Sequence, residues 1–317
     1  PLRRPPLLNR YDRSAPMNGE AEVKYLDGDF RVLKPGAFVR CAVTGVAIPL
    51  EELGELEVGT HRPDLRGSAR RDSEGRTDDP DCCRSRPRHR LCPDLRGRGR
   101  SQHDPNWQNY HPGTYLADIA RLLEHAGVQR VVLLGTSLGG ILSMLLCATA
   151  PRLPAGVILN DIGPEVAAEG LQRISSYVGR SAPVRSWDEA AAQMRATYGL
   201  AMPDASDEDW RAFARRSYTE VDGAPRLDVD PGIGEAVRAA PAGAAPDLWP
   251  VYAALQPLPA LAFRGEVSDV LSEETFERMA RLKPDLVRVT VARRGHPPLL
   301  DEPDCVAAID HFLAQLP

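Results

Sequence analysis

Short apolar runs alternate with longer amphipathic segments over the C-terminal two thirds of the chain. The longer segments, such as residues 273–282, carry apolar side chains at the three- and four-residue spacing typical of helices. The shorter runs have the length and composition of buried strands, and they lie at residues 131–134, 155–160, 259–264 and 286–291. This alternation predicts an α/β fold with a mostly parallel, doubly wound sheet and helices on both faces.

The alternation breaks at residues 165–247, which have helical patterns but no strand-like run. Helices are predicted at residues 174–178, 187–198 and 207–218, the last beginning at Ser206. An all-helical insertion after a strand of a parallel sheet is most simply a cap over the strand ends. We therefore expect this segment to shape a substrate pocket.

The N-terminal part of the chain has a different character. Strand-like runs at residues 23–43 are separated by turn signals such as Asp27-Gly28-Asp29 and Pro35-Gly36, which predicts a small β meander. Residues 59–90 are almost half charged and have too few apolar side chains to order a core. The predicted domains are a disordered tail (1–16), a β-rich module (17–53), a charged disordered linker (54–89), a core part (90–164), a cap (165–247) and a second core part (248–317).

Composition narrows the class of protein. The 317 residues carry a formal net charge of −5, which argues against a nucleic-acid partner, and no apolar run is long enough to span a membrane. The start of the chain lacks a signal-peptide core, so we expect a cytoplasmic location. Six cysteines without paired spacing predict reduced thiols and no metal site. The oligomeric state stays open.

Candidate chemistry begins at Ser137, which stands between Gly135 and Gly139 after one buried run and before a helical one. This strand-turn-helix pattern is typical of a nucleophilic serine on a strained turn, although Gly-x-Ser-x-Gly also occurs by chance. A serine hydroxyl needs a base, and the base needs an acid that fixes its tautomer. His296 directly follows the last predicted strand and is the expected base.

Two aspartates compete for the role of the acid. Asp269 follows the strand just before the one that precedes His296, and Asp161 directly follows the strand at residues 155–160. Both keep the order serine, acid, histidine along the chain. We expect Asp269 to orient His296 because its strand precedes the histidine-bearing one. Asp161 is the alternative acid.

From about residue 90 onward, the chain resembles a capped α/β-hydrolase. The resemblance rests on residues 93–101, on the segment around Ser137, on Asn160-Asp161-Ile162-Gly163-Pro164, on the context of Asp269 and on Gly295-His296. It implies hydrolysis of a small ester, lactone or related acyl compound through an acyl-enzyme, with no cofactor. It also implies that the Leu138 N–H donates to the oxyanion. Residues 19–50 likewise resemble a small uncharacterised bacterial domain family.

One departure from the hydrolase pattern favours a second hypothesis. The family's second oxyanion donor comes from a His-Gly loop, and the chain has no His-Gly pair. Where that loop belongs, the sequence has the charged linker, so the first strands of the sheet are also expected to be missing. The alternative function is therefore an impaired hydrolase-fold protein that at most binds small molecules.

Overall fold

The computed structural model describes residues 22–26, 29–34, 38–40, 47–49, 91–99, 101–239 and 247–316, the first four ranges by their backbone. The strands are β1 (Glu22–Leu26), β2 (Asp29–Lys34), β3 (Phe38–Arg40), β4 (Ala47–Pro49), β5 (Val131–Thr136), β6 (Pro154–Asn160), β7 (Tyr218–Val221), β8 (Ala224–Leu227), β9 (Ala260–Gly265) and β10 (Val287–Val291). The helices are α1 (Pro112–His125), α2 (Leu138–Thr149), α3 (Ala168–Tyr177), α4 (Trp187–Tyr198), α5 (Asp207–Ser217), α6 (Gly232–Ala239), α7 (Trp249–Tyr252), α8 (Glu273–Leu282) and α9 (Pro303–Ala314).

The central sheet has the strand order β5-β6-β9-β10, and all three pairings are parallel. In this register Thr136 lies opposite Asn160, and Asn160 lies opposite Phe263. The carboxyl ends of β5, β6 and β9 therefore meet at one edge of the sheet. The predicted parallel α/β architecture is confirmed, and this edge is where ligands bind in such folds.

Helices cover both faces of the sheet, as the continuous apolar strands require. Val157 and Leu159 of β6 pack with residues of α2 and α8, whereas Ile158, which points the other way, packs with Ile309 and Phe312 of α9. Strands buried on both faces lack the alternation of a half-exposed strand. This is why β6 reads as an uninterrupted apolar run.

The cap between β6 and α7 has its own apolar core, which includes Met194, Trp210 and Tyr218. The prediction that the cap is all-helical is wrong, because β7 and β8 form an antiparallel hairpin within it. The hairpin turns at Asp222-Gly223, where both residues have positive φ (51° and 76°). Asp-Gly is the turn signal of such hairpins, so the sequence did carry a local indication of this element.

Helix α1 begins at Pro112, with the His111 side chain accepting the Gly113 N–H at 3.1 Å. Pro112 suits the first helical turn because its missing N–H is not needed there. The segment at residues 91–94, which precedes α1, has no strand structure, and Pro93 has no N–H to donate to a sheet.

The N-terminal strands form two antiparallel pairs, β1 with β2 and β3 with β4. These pairs are separate two-stranded sheets and not one continuous meander. The predicted tail (1–16) and charged linker (54–89) lie outside the described residues, so the domain boundaries stay predictions. In the part of the chain that is described, no helix is both long and apolar enough to cross a membrane.

The amino end of α5 provides a test of the cap's local stability. Ser206 Oγ accepts the Asp209 N–H at 3.2 Å, and Asp209 Oδ2 accepts the Ser206 N–H at 2.8 Å. Replacing Ser206 with alanine removes the hydroxyl acceptor, and we expect a loss of about 1 kcal/mol in the free energy of unfolding. Urea denaturation followed by circular dichroism measures it.

Ser175→Ala is the matched control, because its exposed hydroxyl only donates to a carbonyl within α3. This change should alter stability by less than about 0.5 kcal/mol. Equal losses in the two variants would contradict the capping role of Ser206.

Candidate active site

Ser137 lies on a sharp turn between β5 and α2. Its backbone has φ 51° and ψ −118°, a strained conformation for a residue with a side chain. The turn brings the end of the strand against the start of the helix, since a Cβ on Gly135 would lie 2.3 Å from the carbonyl of Gly139. The glycine at position 135 is therefore a steric requirement of the turn.

His296 connects Ser137 to a carboxylate. Its Nε2 lies 3.0 Å from Ser137 Oγ, and its Nδ1 lies 2.8 Å from Asp161 Oδ2. An ionised carboxylate only accepts hydrogen bonds, so Nδ1 carries the proton and Nε2 is left to accept the serine proton. His296 is 5% exposed and Asp161 is 0% exposed. The three groups have the spacing and order of a nucleophile, a base and its orienting acid.

Asp161 is held by two further hydrogen bonds. Its Oδ1 accepts the Gly265 N–H at 2.8 Å, and its Oδ2 accepts the Ser268 hydroxyl at 2.6 Å. Like Ser137, Asp161 has a positive φ, of 54°. A buried carboxylate is costly unless its lone pairs are satisfied, and these contacts from the end of β9 and the loop after it satisfy them.

The expectation that Asp269 contacts His296 is wrong in this structure. Both Asp269 oxygens accept from Arg173 of α3, at 2.5 Å from Nε and 2.8 Å from Nη2. Hydrogen bonding to Arg173 holds the pKa of the Asp269 carboxyl below its usual value, and partial burial opposes this effect. The preceding residue, Ser268, faces Asp161 instead. The alternative acid, Asp161, is the one that lies against His296.

Asn160 is a site residue that the sequence analysis did not identify. Its Nδ2 donates to Thr136 Oγ1 at 3.1 Å and to the Pro298 carbonyl at 2.9 Å. It thereby connects the strand before Ser137 with the loop that carries His296. Its Oδ1 is buried without a hydrogen-bond partner in the described part of the structure. A polar residue that ends an apolar strand at the ligand-binding edge was the available signal.

Leu138 is the first residue of α2, directly after the serine. The N–H groups of a first helical turn have no carbonyl of their own helix to accept them, and they carry the positive end of the helix dipole. The Leu138 N–H is therefore available to a negative oxygen beside Ser137. The place expected for a second donor, residues 54–89, lies outside the described residues.

Two cysteines of the described chain lie in the apolar core. Cys147 and Cys305 have buried thiols, and burial raises the pKa of Cys147 to about 12. Thiols of this kind are poor nucleophiles at neutral pH. Among the described residues, no group of three or more His, Cys, Asp and Glu side chains is arranged to hold a metal ion.

A parallel sheet that presents a serine on a strained turn, with an aspartate and a histidine at the same edge, defines the α/β-hydrolase class of fold. The chain belongs to the α/β hydrolase fold family, whose model matches residues 86–303. It is accordingly an enzyme of the hydrolase type. Residues 32–54 match a second family, described as an uncharacterized protein conserved in bacteria, which confirms the resemblance of the N-terminal module.

Individual relatives agree with this family. The chain is 31% identical over 235 residues to 3-hydroxybutyrate-oligomer hydrolase of Cupriavidus necator, covering 70% of this chain and 78% of the relative. An α/β hydrolase from Novosphingobium aromaticivorans is 43% identical with a TM-score of 0.66, over 70% of this chain and 78% of that one. The structure of E-2-(acetamidomethylene)succinate hydrolase is 25% identical with a TM-score of 0.62, over 82% of this chain and 91% of that one.

The close approach at Gly135 predicts a large cost for any side chain there. A methyl group on Gly135 meets the backbone of α2, which cannot move without displacing the serine turn. We expect Gly135→Ala to lower the free energy of unfolding by about 3 kcal/mol or more, at the upper end of overpacking effects. Chemical denaturation measures the change.

Gly127→Ala is the control for this substitution. Gly127 has a positive φ of 65°, but a Cβ there would meet no atom within 4 Å. Its replacement should cost only the left-handed backbone, about 1 kcal/mol. If both variants lost the same stability, the steric account of Gly135 would be wrong.

Proposed function

We propose that the chain is a serine hydrolase that cleaves a small ester, lactone or related acyl compound through an acyl-enzyme. The observation that carries this proposal is the pair of hydrogen bonds at His296, to Ser137 Oγ at 3.0 Å and to Asp161 at 2.8 Å. A neutral imidazole with its proton fixed on Nδ1 is able to accept the serine proton on Nε2.

The first half-reaction forms the acyl-enzyme. Ser137 Oγ attacks the acyl carbon while its proton passes to His296 Nε2, and the carbonyl oxygen becomes an oxyanion that accepts the Leu138 N–H. The carboxylate of Asp161 stabilises the imidazolium that forms. His296 then gives the proton to the departing alcohol oxygen as the bond from the acyl carbon to that oxygen breaks.

The second half-reaction consumes water. His296 Nε2 takes a proton from a water molecule whose oxygen attacks the acyl carbon of the ester on Ser137. The proton then returns to Ser137 Oγ as the acid product leaves, which restores the starting state. The two half-reactions thus use these side chains, the Leu138 N–H and water.

The names of two relatives support the proposed substrate class, since they specify a 3-hydroxybutyrate oligomer and an acetamidomethylene derivative of succinate. In this chain the cap contacts the core close to the triad, because Arg173 of α3 binds Asp269, the neighbour of the Ser268 that contacts Asp161. We therefore propose that a small acyl substrate binds between cap and core.

Replacing Ser137 tests the nucleophile. Ser137→Ala should lower kcat for a chromogenic short-chain ester by a factor on the order of 10⁴ or more, because the attacking atom is gone. Ser175→Ala, on an exposed face of the cap, should retain the wild-type rate. If the wild type and Ser137→Ala showed equal rates, the alternative of an impaired hydrolase-fold protein that only binds acyl compounds would be favoured.

Paired substitutions at the two aspartates test the acid. Asp161→Asn should reduce kcat by about 10⁴-fold, since an amide no longer holds His296 in the required tautomer. Asp269→Asn should stay within about tenfold of the wild type, because its carboxylate binds Arg173 and not His296. Measured kcat values in the reverse order would restore Asp269 as the acid.

A further inference from the structure

Two carboxylates stand near His296, and only one of them is bound to it. Asp161 contacts the imidazole, whereas Asp269 follows Ser268, whose hydroxyl donates to Asp161. Asp269 is thus one residue away from a direct contact of Asp161, and its own carboxylate accepts from Arg173 at 2.5 and 2.8 Å. Without its Arg173 partner, the Asp269 carboxylate would therefore add a second negative charge beside the triad.

Arg173 binds Asp269 from a fixed position on the cap. Gly170, one turn earlier in α3, packs so closely that a Cβ there would lie 2.3 Å from the Asp269 carbonyl oxygen. The Arg173 guanidinium carbon also lies 5.9 Å from the centroid of the Tyr177 ring. The guanidinium therefore contacts both a carboxylate and an aromatic ring, and both contacts restrict its position.

We propose that Arg173 is a positioning residue of the active site, which holds Asp269 away from His296 so that Asp161 alone orients the imidazole. This inference rests on the proposed function, because it takes His296 as the base. It also gives the cap a role beyond shaping a pocket. A helix of the cap completes the electrostatic environment of a triad that is built entirely on the core.

The remaining charged groups around the His296 loop are paired among themselves or lie farther along it. Arg294 binds Asp204 of the cap and Glu302, and Arg293 also binds Asp204. Glu266 accepts the backbone N–H of Arg293. Arg216 of α5 and Asp301 influence each other through their charges. Among the described residues, Arg173 is the cation that pairs with Asp269.

The experiment is a titration of the His296 imidazole by NMR in protein labelled with ¹³C-histidine, with the resonance assigned by its loss in His296→Gln. In Arg173→Met, the titration midpoint should move to higher pH by at least about half a pH unit, because the freed carboxylate stabilises the imidazolium. In Asp269→Asn, the midpoint should move to lower pH, because the Arg173 cation is left unpaired.

Three further variants separate this charge effect from a merely structural one. The double variant Arg173→Met/Asp269→Asn should return towards the wild-type midpoint, and Arg173→Lys should stay close to it because the cation is kept. Arg195→Met is the matched control, since Arg195 also binds an aspartate, Asp207, at 2.9 Å but on the exposed surface of the cap. It should leave the midpoint unchanged.

The inference is overturned if Arg173→Met and Asp269→Asn both leave the midpoint where it is in the folded wild type. A midpoint that stays raised in the double variant would also overturn it. Asp269→Asn tests the idea even if Arg173→Met fails to fold, which circular dichroism reveals. The titration does not require turnover. The proposed hydrolysis is tested separately, by comparing the ester-cleavage rates of the wild type and Ser137→Ala. A failure of the proposed function is therefore distinguishable from a failure of this inference.

Discussion

The buried carboxylate of Asp161 is the constraint on which the site depends. A charge with no solvent access has to be compensated locally, and its three hydrogen-bond donors come from the end of β9, from the loop after β9 and from the loop after β10. Satisfying one side chain therefore fixes three segments that are far apart in sequence. The geometry of the serine and histidine is a consequence of this local compensation combined with the parallel register of the strands.

Much of the fold followed from periodicity alone. The strands at β5, β6, β9 and β10 and the helix at α8 were predicted within a residue or two, because continuous apolar runs and helical spacing are local properties. The candidate serine was equally predictable from the sequence, since Gly135 and Ser137 belong to one local pattern. The hairpin of β7 and β8 was missed because its strands are short and lie among strongly amphipathic helices.

The acid could not be chosen from the sequence because the choice depends on strand order and side-chain direction. Both Asp161 and Asp269 follow strands that end at the correct edge, and β6 and β9 are neighbours in the sheet. The structure distinguishes them because the side chain of Ser268, and not that of Asp269, contacts Asp161, the residue directly after β6. Arg173, some 96 positions away along the chain, binds the other aspartate. Neither fact has a signature in local composition.

The backbone strain at Ser137 links folding to activity in a way that bears on how this protein can be altered. The backbone conformation of Ser137, with φ 51° and ψ −118°, is disfavoured for a residue with a Cβ, whereas glycine adopts it without penalty. Selection for stability alone would thus favour glycine at position 137, whereas the proposed hydrolysis requires the serine. Under the proposed function, the serine at this position is a trade-off in which some stability is given up for the attacking hydroxyl.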